Sequence, residues 1–485
     1  MSERPDLPID AILPALIEAL RSHSSVVLRA PAGAGKTTRV PPALLDAGFG
    51  KSGHLYVLQP RRFAARATAY RMAAERDEAA GQTIGYQVRF ERKIGPATRI
   101  HVMTEGVLLR KLLDNPFLED AAVVIFDEFH ERSLESDLAL GMVRRVQETV
   151  RPELKIVVMS ATLAAAQIAA YLNDCPQVEC EGRLFPIAIE YVESWDRRSP
   201  AELAAEGVRR LLSKTEGDVL AFLPGVREIR QAAQQLEDLA QRHDLAVLPL
   251  YGDLPAEQQD AVLRPLDRRK VVLATNVAET SVTIEGVTGV VDTGTAKMLC
   301  YDPAVGLDRL ELRPIARAAA QQRAGRAGRT QPGVCLRMWP AALDRTRPEF
   351  EEPEVRRLDL AGPVLKLQCW DEPDVMRFPW FEPPRADAVE RATTLLRLLG
   401  AVNEHGVTEL GRRLARLPLA PRLGRLLIEG VQRNVAERAA LAAALLSERD
   451  PFQRERSPQG GPLGKPRSAT HVSRSDWLDR IRALE

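Results

Sequence analysis

Three short segments hold the residue types that phosphoryl transfer needs. The first is Ala30-Pro31-Ala32-Gly33-Ala34-Gly35-Lys36-Thr37, just after the apolar run Val26-Val27-Leu28. Gly33 and Gly35 let the backbone curl around phosphate oxygens, so that amide N–H groups and the next helix N-terminus face the anion. Lys36 is spaced to reach β- and γ-phosphates, and the Thr37 hydroxyl to bind Mg²⁺. Gly33, Ala34, Gly35, Lys36, Thr37 and Thr38 are therefore the candidate cradle for a nucleoside triphosphate. A Gly/Ala-rich turn alone carries little meaning. A strand before it, Lys-Thr inside it and a helix after it make it specific.

The second segment is Asp127-Glu128-Phe129-His130, which closes the apolar run Val123–Phe126. Residues there lie at the carboxyl edge of a parallel sheet, where ligands bind. Asp127 is predicted to hold Mg²⁺ through its water shell. Glu128 is the candidate base that orients and deprotonates the attacking water. His130 either relays contact to another lobe or serves the local structure, and the sequence leaves both open. The third segment is Gln322-Arg323-Ala324-Gly325-Arg326-Ala327-Gly328-Arg329. Phosphoryl transfer concentrates negative charge on the equatorial oxygens, so cations supplied in trans accelerate it strongly. The spacing predicts Arg326 and Arg329 one helical turn apart and facing one phosphate, with Gln322 about one turn earlier to position the water. An arginine-rich helix is usually a solvated face. Interleaved Gly325 and Gly328 argue against that, because glycine is costly in a helix unless close approach requires it.

These segments need rigid elements to hold them. With 485 residues, the chain predicts three or four domains. The first lobe, 1–185, alternates a predicted helix Ile9–Leu20 and further helices with strands at Leu55–Leu58, Ile100–Met103, Val123–Phe126 and Ile156–Met159. The second, 186–350, repeats the rhythm with Val219–Leu223, Ala246–Leu250, Val271–Ala274 and Gly289–Val291. Short all-apolar runs between helices point to parallel sheets covered on both faces. Beyond that the pattern is mostly helical. Helices are predicted over Val355–Gln368 and Ala386–Leu399, with Val402–Thr408 as the wing of a winged-helix unit at 351–409. A helical region follows over 410–485, interrupted by a flexible Arg/Pro/Gly/Ser-rich stretch at 454–475. Trp477–Leu484 opens a helix that ends abruptly, which reads as a piece of a longer protein.

Composition excludes several classes. The net charge of +1 gives no global basic field, so nucleic acid must be held by local arginines and backbone donors. The five cysteines form no C-x-x-C pair, which argues against a zinc site or disulfide framework and fits a reducing cytoplasm. No signal peptide pattern opens the chain, and no run approaches the ~20 apolar residues of a membrane span.

The ordered set of motifs resembles the superfamily 2 helicases of the DEAH/RHA type, the bacterial HrpB-type ATP-dependent helicases in particular. The matching segments are Gly33–Thr37, Pro60-Arg61-Arg62, Thr104-Glu105-Gly106, Asp127–His130, Ser160-Ala161-Thr162, Ala274–Ile284 and Gln322–Arg329. The tail also resembles that family's winged-helix and ratchet region, through Phe381-Glu382-Pro383-Pro384, Leu398-Leu399-Gly400 and Leu417-Pro418-Leu419. The resemblance implies an α/β fold of two tandem RecA-like lobes followed by a winged-helix and ratchet-like region. It implies that Lys36, Thr37, Asp127 and Glu128 serve ATP and Mg²⁺, and that Arg326 and Arg329 are arginine fingers. Ser160 and Thr162 are implied to couple hydrolysis to lobe movement. Thr275, Asn276, Glu279, Thr280 and Ser281 are implied to read nucleotide and RNA backbone from the second lobe. Arg61, Arg62 and Thr104 are implied to touch RNA phosphates, Arg89-Phe90 to form a hook-turn beside the RNA, and Lys297–Leu312 to be a strand-parting hairpin. Two departures stand out. Phe129 replaces the family's alanine. Arg71 fits the adenine-stacking arginine, but Leu263 aligns where its aromatic partner belongs, which predicts weak base discrimination.

The reading is an ATP-dependent RNA helicase, a nucleoside-triphosphate hydrolase working as a monomer in the cytoplasm. It uses ATP and Mg²⁺ and moves 3′ to 5′ along single-stranded RNA, gripping the backbone in a sequence-tolerant way. The sequence leaves DNA as an alternative substrate and a protein activator open. Its rivals are a DNA translocase and an ATP-gated clamp without processive unwinding.

Overall fold

The computed structural model describes residues 6–31, 33–161, 165–181, 185–194, 198–279, 284–329, 331–447 and 480–481. The calls on Thr162, Thr280, Ser281 and the stretch 454–475 lie outside these residues, as does most of Trp477–Leu484. The chain divides into two compact units. One comprises Met1–Leu358 with Pro379–Pro383, and the other Asp359–Phe378 with Pro384–Glu485.

Among the described residues the first unit holds two large sheets and one separate hairpin. Strands β1 (Ser25–Arg29), β2 (His54–Gln59), β3 (Ile84–Val88), β4 (Glu91–Lys93), β5 (Ile100–Thr104), β6 (Ala121–Phe126), β7 (Lys155–Ser160) and β8 (Gln177–Glu179) form one, in the order β4-β3-β5-β2-β6-β7-β1-β8. β6 is buried along its whole length, because helices cover both faces of a central parallel strand. The first sheet is not wholly parallel: β4 runs antiparallel to β3 across the Arg89-Phe90 turn, with Val88 opposite Glu91. β4 carries only exposed Glu, Arg and Lys, so it lacks the apolar signal of a strand and ends the sheet with charge.

The second sheet contains β9 (Ile187–Tyr191), β10 (Asp218–Phe222), β11 (Ala246–Leu250), β12 (Lys270–Ala274) and β13 (Val287–Asp292). Next come β14 (Thr295–Asp302) and β15 (Leu307–Pro314), which pair only with each other, and β16 (Gly333–Arg337). The sheet order is β11-β12-β10-β13-β16-β9, all parallel. Among the described residues the second unit is helical apart from a two-stranded wing, β17 (Val402–Asn403) with β18 (Gly406–Val407). Among the described residues no helix is long and apolar enough to cross a membrane.

Two helix predictions need correction. Ile9–Leu20 is a 3₁₀ turn, Pro8–Ile12, followed by the α-helix Leu13–Ser22. Pro8 and Pro14 each sit where a helix starts and an N–H is dispensable, so the pair marks two starts and not one run. Val355–Gln368 is also two pieces, Glu354–Arg357 and Ala361–Cys369, separated by extended Leu358.

Candidate functional site

The sheet order explains why distant residues meet. The carboxyl ends of β5, β2, β6, β7 and β1 lie side by side, and they carry Thr104, Gln59, Asp127, Ser160 and Ala30 in turn. The Ala30 N–H donates to the Ser160 carbonyl at 3.0 Å, which pins the start of the glycine loop. Gly33 and Gly35 have φ of +89° and +94°, where a side chain would be strained. A Cβ on Gly35 would also come within 2.6 Å of Leu7 Cδ1. Lys36 then opens the helix Lys36–Asp46.

The loop and the two carboxylates form one buried network. Lys36 Nζ lies 2.7 Å from Glu128 Oε1. The Thr37 hydroxyl donates to Asp127 Oδ2 at 2.5 Å. Gln59 Nε2 donates to the same oxygen at 2.7 Å, and the Glu128 N–H donates to Asp127 Oδ1 at 2.9 Å. Burial and the neighbouring Glu128 charge push the Asp127 carboxyl up to about 6. Burial would raise Glu128 as well, but the neighbouring Lys36, His130 and Arg326 together lower the carboxyl, Lys36 foremost. Burial would lower Lys36, and Glu128 and Asp127 together raise it instead. Glu128 is thus anionic at neutral pH, as a base must be.

His130 has a defined tautomer. Its Nδ1 accepts from the Ala161 N–H at 3.3 Å, so the ring proton belongs on Nε2. Burial lowers its pKa and keeps the ring neutral. Nε2 faces Glu128 Oε2 at 3.4 Å, and both atoms are buried without a hydrogen bond. An acceptor with an unfilled lone pair beside a phosphate cradle has the chemistry to take a water proton. Phe129 is fully buried and stacks edge-on with Phe126 and Phe381, and the Arg132 guanidinium lies over Phe381 at 4.4 Å. Its large ring serves packing with the Pro379–Pro383 segment. That replacement leaves the flanking carboxylates in their network.

The second sheet sends arginines to this edge. The helix Arg317–Ala324 carries Gln322, which is partly buried, but it ends before Arg326. Arg326 and Arg329 are therefore not on a helix face, as their spacing predicts, but in a turn. The N–H groups of Arg326 and Ala327 bond back to the carbonyls of Arg323 and Ala324. Gly328 is required by close approach, since a Cβ there would meet Ile187 Cγ1 at 2.6 Å and the Phe185 carbonyl at 2.7 Å. The tight turn still delivers Arg329 to the phosphate loop: its guanidinium carbon is 3.8 Å from the Cβ position of Gly33. Burial lowers Arg329 to about 10, with Glu128 opposing. Burial, then the neighbouring Arg329 charge, lower Arg326, whose Nε and Nη2 both donate to the Glu279 carbonyl.

Sequence reasoning missed Gln59, Arg323 and Arg132. Gln59 is a polar residue closing an apolar run, the same signal that marks Asp127. Arg323 donates to Glu279 at 3.0 Å and to Asp292 at 2.9 Å and lies over the Phe222 ring at 4.9 Å, which makes it a buried clamp within the second sheet. Arg132 pairs with Asp137 at 2.8 Å and with Glu382 at 3.3 Å.

Other predicted residues lie away from the network. Arg61 joins the two sheets, donating to the Asn276 carbonyl at 3.0 Å and to Glu131 at 3.3 Å. Arg62 and Asn276 are exposed, while Thr104, Thr275 and Thr38 are partly buried and Ser160 is fully buried. Phe90 is 86% exposed, with φ of +67°, and Arg89 covers its ring at 4.8 Å. A bulky residue held in the left-handed region and bared to solvent marks a functional surface more than a packing one. Arg71 is exposed and paired with Glu75 at 3.0 Å, and Leu263 packs on the second sheet's core.

A family model described as DEAD/DEAH box helicase matches residues 11–170, and one described as helicase conserved C-terminal domain matches 204–331. The helicase associated domain (HA2) models match as winged-helix over 392–419 and as ratchet-like over 420–480. The ATP-dependent RNA helicase HrpB of Escherichia coli K12 is 40% identical over 444 residues, 91% of this chain and 55% of HrpB. The ATP-dependent RNA helicase HrpA of the same strain is 36% identical over 98% of this chain and 37% of HrpA. The crystal structure of the E. coli DEAH/RHA helicase HrpB superposes with a TM-score of 0.86 at 37% identity, covering 99% of this chain and 60% of that one. The chain thus spans little more than half the length of HrpB and about a third of HrpA. Two parallel-sheet lobes in tandem, the helical units after them and the motifs along their facing edges carry one conclusion: the chain belongs to the DEAD/DEAH box helicases, in the HrpB-like DEAH/RHA branch.

Proposed function

We propose that the protein hydrolyses ATP between its two sheets and uses the cycle to move along single-stranded RNA and open duplexes. One observation carries the reading: an arginine of the second sheet lies over the phosphate loop of the first, beside the Lys36–Glu128 pair. A phosphate bound in the loop takes Lys36 as its partner and releases Glu128 to accept a proton from water, with Gln322 orienting that water. Arg326 and Arg329 neutralise charge that develops on the terminal phosphate.

The donor set fits Mg²⁺. Thr37 and Asp127 supply hard oxygen atoms 2.5 Å apart. Among the described residues no group of three or more His, Cys, Asp or Glu offers an all-protein cage. Magnesium is commonly held by one or two protein oxygens, with substrate phosphates and water completing its shell. When bound, the ion would neutralise charge on the phosphate oxygens.

Arg61, Arg62, Arg89, Phe90, Thr104, Thr275 and Asn276 are the proposed RNA contacts, with Ser160 and Thr162 coupling the edge to lobe movement. Arg61 would then exchange Glu131 and the Asn276 carbonyl for a phosphate. Arg71 would cover one face of the base. The proposed domain limits are 1–185, 186–350, 351–409 and 410–485, and the proposed direction is 3′ to 5′.

Matched single-stranded RNA and DNA test this as stimulators of ATP hydrolysis, followed by duplexes with a 3′ or a 5′ overhang. The reading expects stimulation by RNA and opening of the 3′-overhang duplex. Stimulation by DNA alone favours a DNA translocase, and ATP-dependent binding with negligible turnover favours a clamp. No ATP hydrolysis under any condition overturns the reading.

A further inference from the structure

The loop that starts at Asp127 is tied at its far end to a distant hairpin. It closes at Arg132, a non-glycine residue with φ of +51°. The Arg132 carbonyl accepts the Glu354 N–H at 3.2 Å, and Glu354 Oε2 accepts the Leu134 N–H at 3.0 Å. Glu354 therefore grips the backbone on both sides of Ser133, which caps the helix Leu134–Thr149. Its other carboxylate oxygen accepts from Arg357 Nη2 at 3.1 Å. Arg357 Nε donates to the Glu352 carbonyl at 3.1 Å, and Nη1 donates to the Leu299 carbonyl on β14.

All three nitrogens of Arg357 thus hold different acceptors, on a side chain only 15% exposed. A planar guanidinium fixes those directions together, which a flexible ammonium cannot do. The hairpin β14–β15 belongs to neither large sheet. A tie at Leu299 therefore acts on an element that no strand pairing anchors to either large sheet. Lys297 provides a second tie, to Glu228 at 3.0 Å. Leu310 and Leu312 on β15 are 65% and 56% exposed, so the hairpin offers an apolar edge to something outside it.

We propose that Glu354 and Arg357 are positioning residues, a strut that carries changes in the Asp127–Arg132 loop to the β14–β15 hairpin. The inference rests on the functional reading above, in which the loop senses nucleotide and the hairpin parts strands. Neither residue touches the nucleotide site. Their loss should leave hydrolysis intact and waste it.

The test uses the full chain, poly(U) as the stimulating RNA and a 3′-overhang RNA duplex, with thermal midpoints measured in parallel. Arg357→Ala is expected to keep RNA-stimulated hydrolysis within about twofold while duplex opened per ATP falls about tenfold, the size of typical coupling energies. Arg357→Lys should recover part of that ratio. Glu354→Gln keeps an oxygen for Leu134 but loses the charge that holds Arg357, so it carries the same test if Arg357→Ala does not fold. Equal loss of hydrolysis and unwinding, or no loss of either, overturns the strut. A wild-type chain without ATP hydrolysis overturns the functional reading itself, a result visible before any variant is made.

Discussion

The carboxyl edges of the two sheets use arginine and backbone in opposite ways. The first edge builds its anion site from a glycine loop, one lysine and a helix start. Its acids are bonded to that lysine and to the hydroxyl that follows it, where the proposed function places an ion and a water. The second edge has no such loop among the described residues and relies on buried arginines. Those arginines divide sharply by environment. Arg323 is held between Asp292 and Glu279, which outweigh the effect of burial and raise its pKa. Arg326 and Arg329, three and six residues on, are lowered by burial. A cation so disfavoured gains most from an incoming anion. The helix end therefore holds a charge-compensated arginine, and the turn after it holds Arg326 and Arg329, the two proposed here as fingers; charge compensation tells them apart.

The contrast can be broken in order of expected effect. Glu128→Gln should lower ATP turnover by about 10²–10⁴-fold while nucleotide affinity persists. Near-normal turnover in a steady-state assay would remove Glu128 from the base role and leave the first edge a binding site only. Arg323→Ala should cost about 3–5 kcal/mol of stability, because it leaves two carboxylates buried without their cation. A denaturation midpoint close to wild type would erase the distinction between Arg323 and its neighbours.

Phe129→Ala should cost about 3 kcal/mol through the cavity left among Phe126, Phe381 and Arg132. Chemical denaturation reads this directly, and a loss under about 1 kcal/mol would mean that the ring is not what anchors Pro379–Pro383. The smallest effect concerns Glu105, whose carboxyl burial pushes up to about 8, with Glu135 adding to the rise. The folded state then binds a proton more tightly than the unfolded chain, so stability falls as pH rises from about 4.5 to about 8. Glu105→Gln should flatten that slope by on the order of 2 kcal/mol across the window. An unchanged slope in melts at pH 5 and pH 8 would show Glu105 to be paired more strongly than burial allows.

Much of this was legible in residue order, for reasons that differ from place to place. Central strands such as Val123–Phe126 announce themselves because burial on both faces demands an unbroken apolar run. The phosphate loop is legible because few residues tolerate its backbone and fewer carry its chemistry. β9 was not legible: its residues are only partly buried or exposed at the sheet edge, so no pattern marks it. Phe129 reads as a departure from the family until Phe381 appears beside it, and sequence separation hides that contact. Arg323 looks equivalent to Arg326 on paper, and only Asp292 and Glu279 distinguish them.

The central claim is that the second sheet completes the first sheet's phosphate site. Its most direct test compares Arg326→Ala and Arg329→Ala with wild type in ATP affinity, measured by equilibrium binding, and in RNA-stimulated turnover. The account predicts affinity within several-fold and turnover down by about 10³-fold for Arg326→Ala. Turnover unchanged in both folded variants would contradict it.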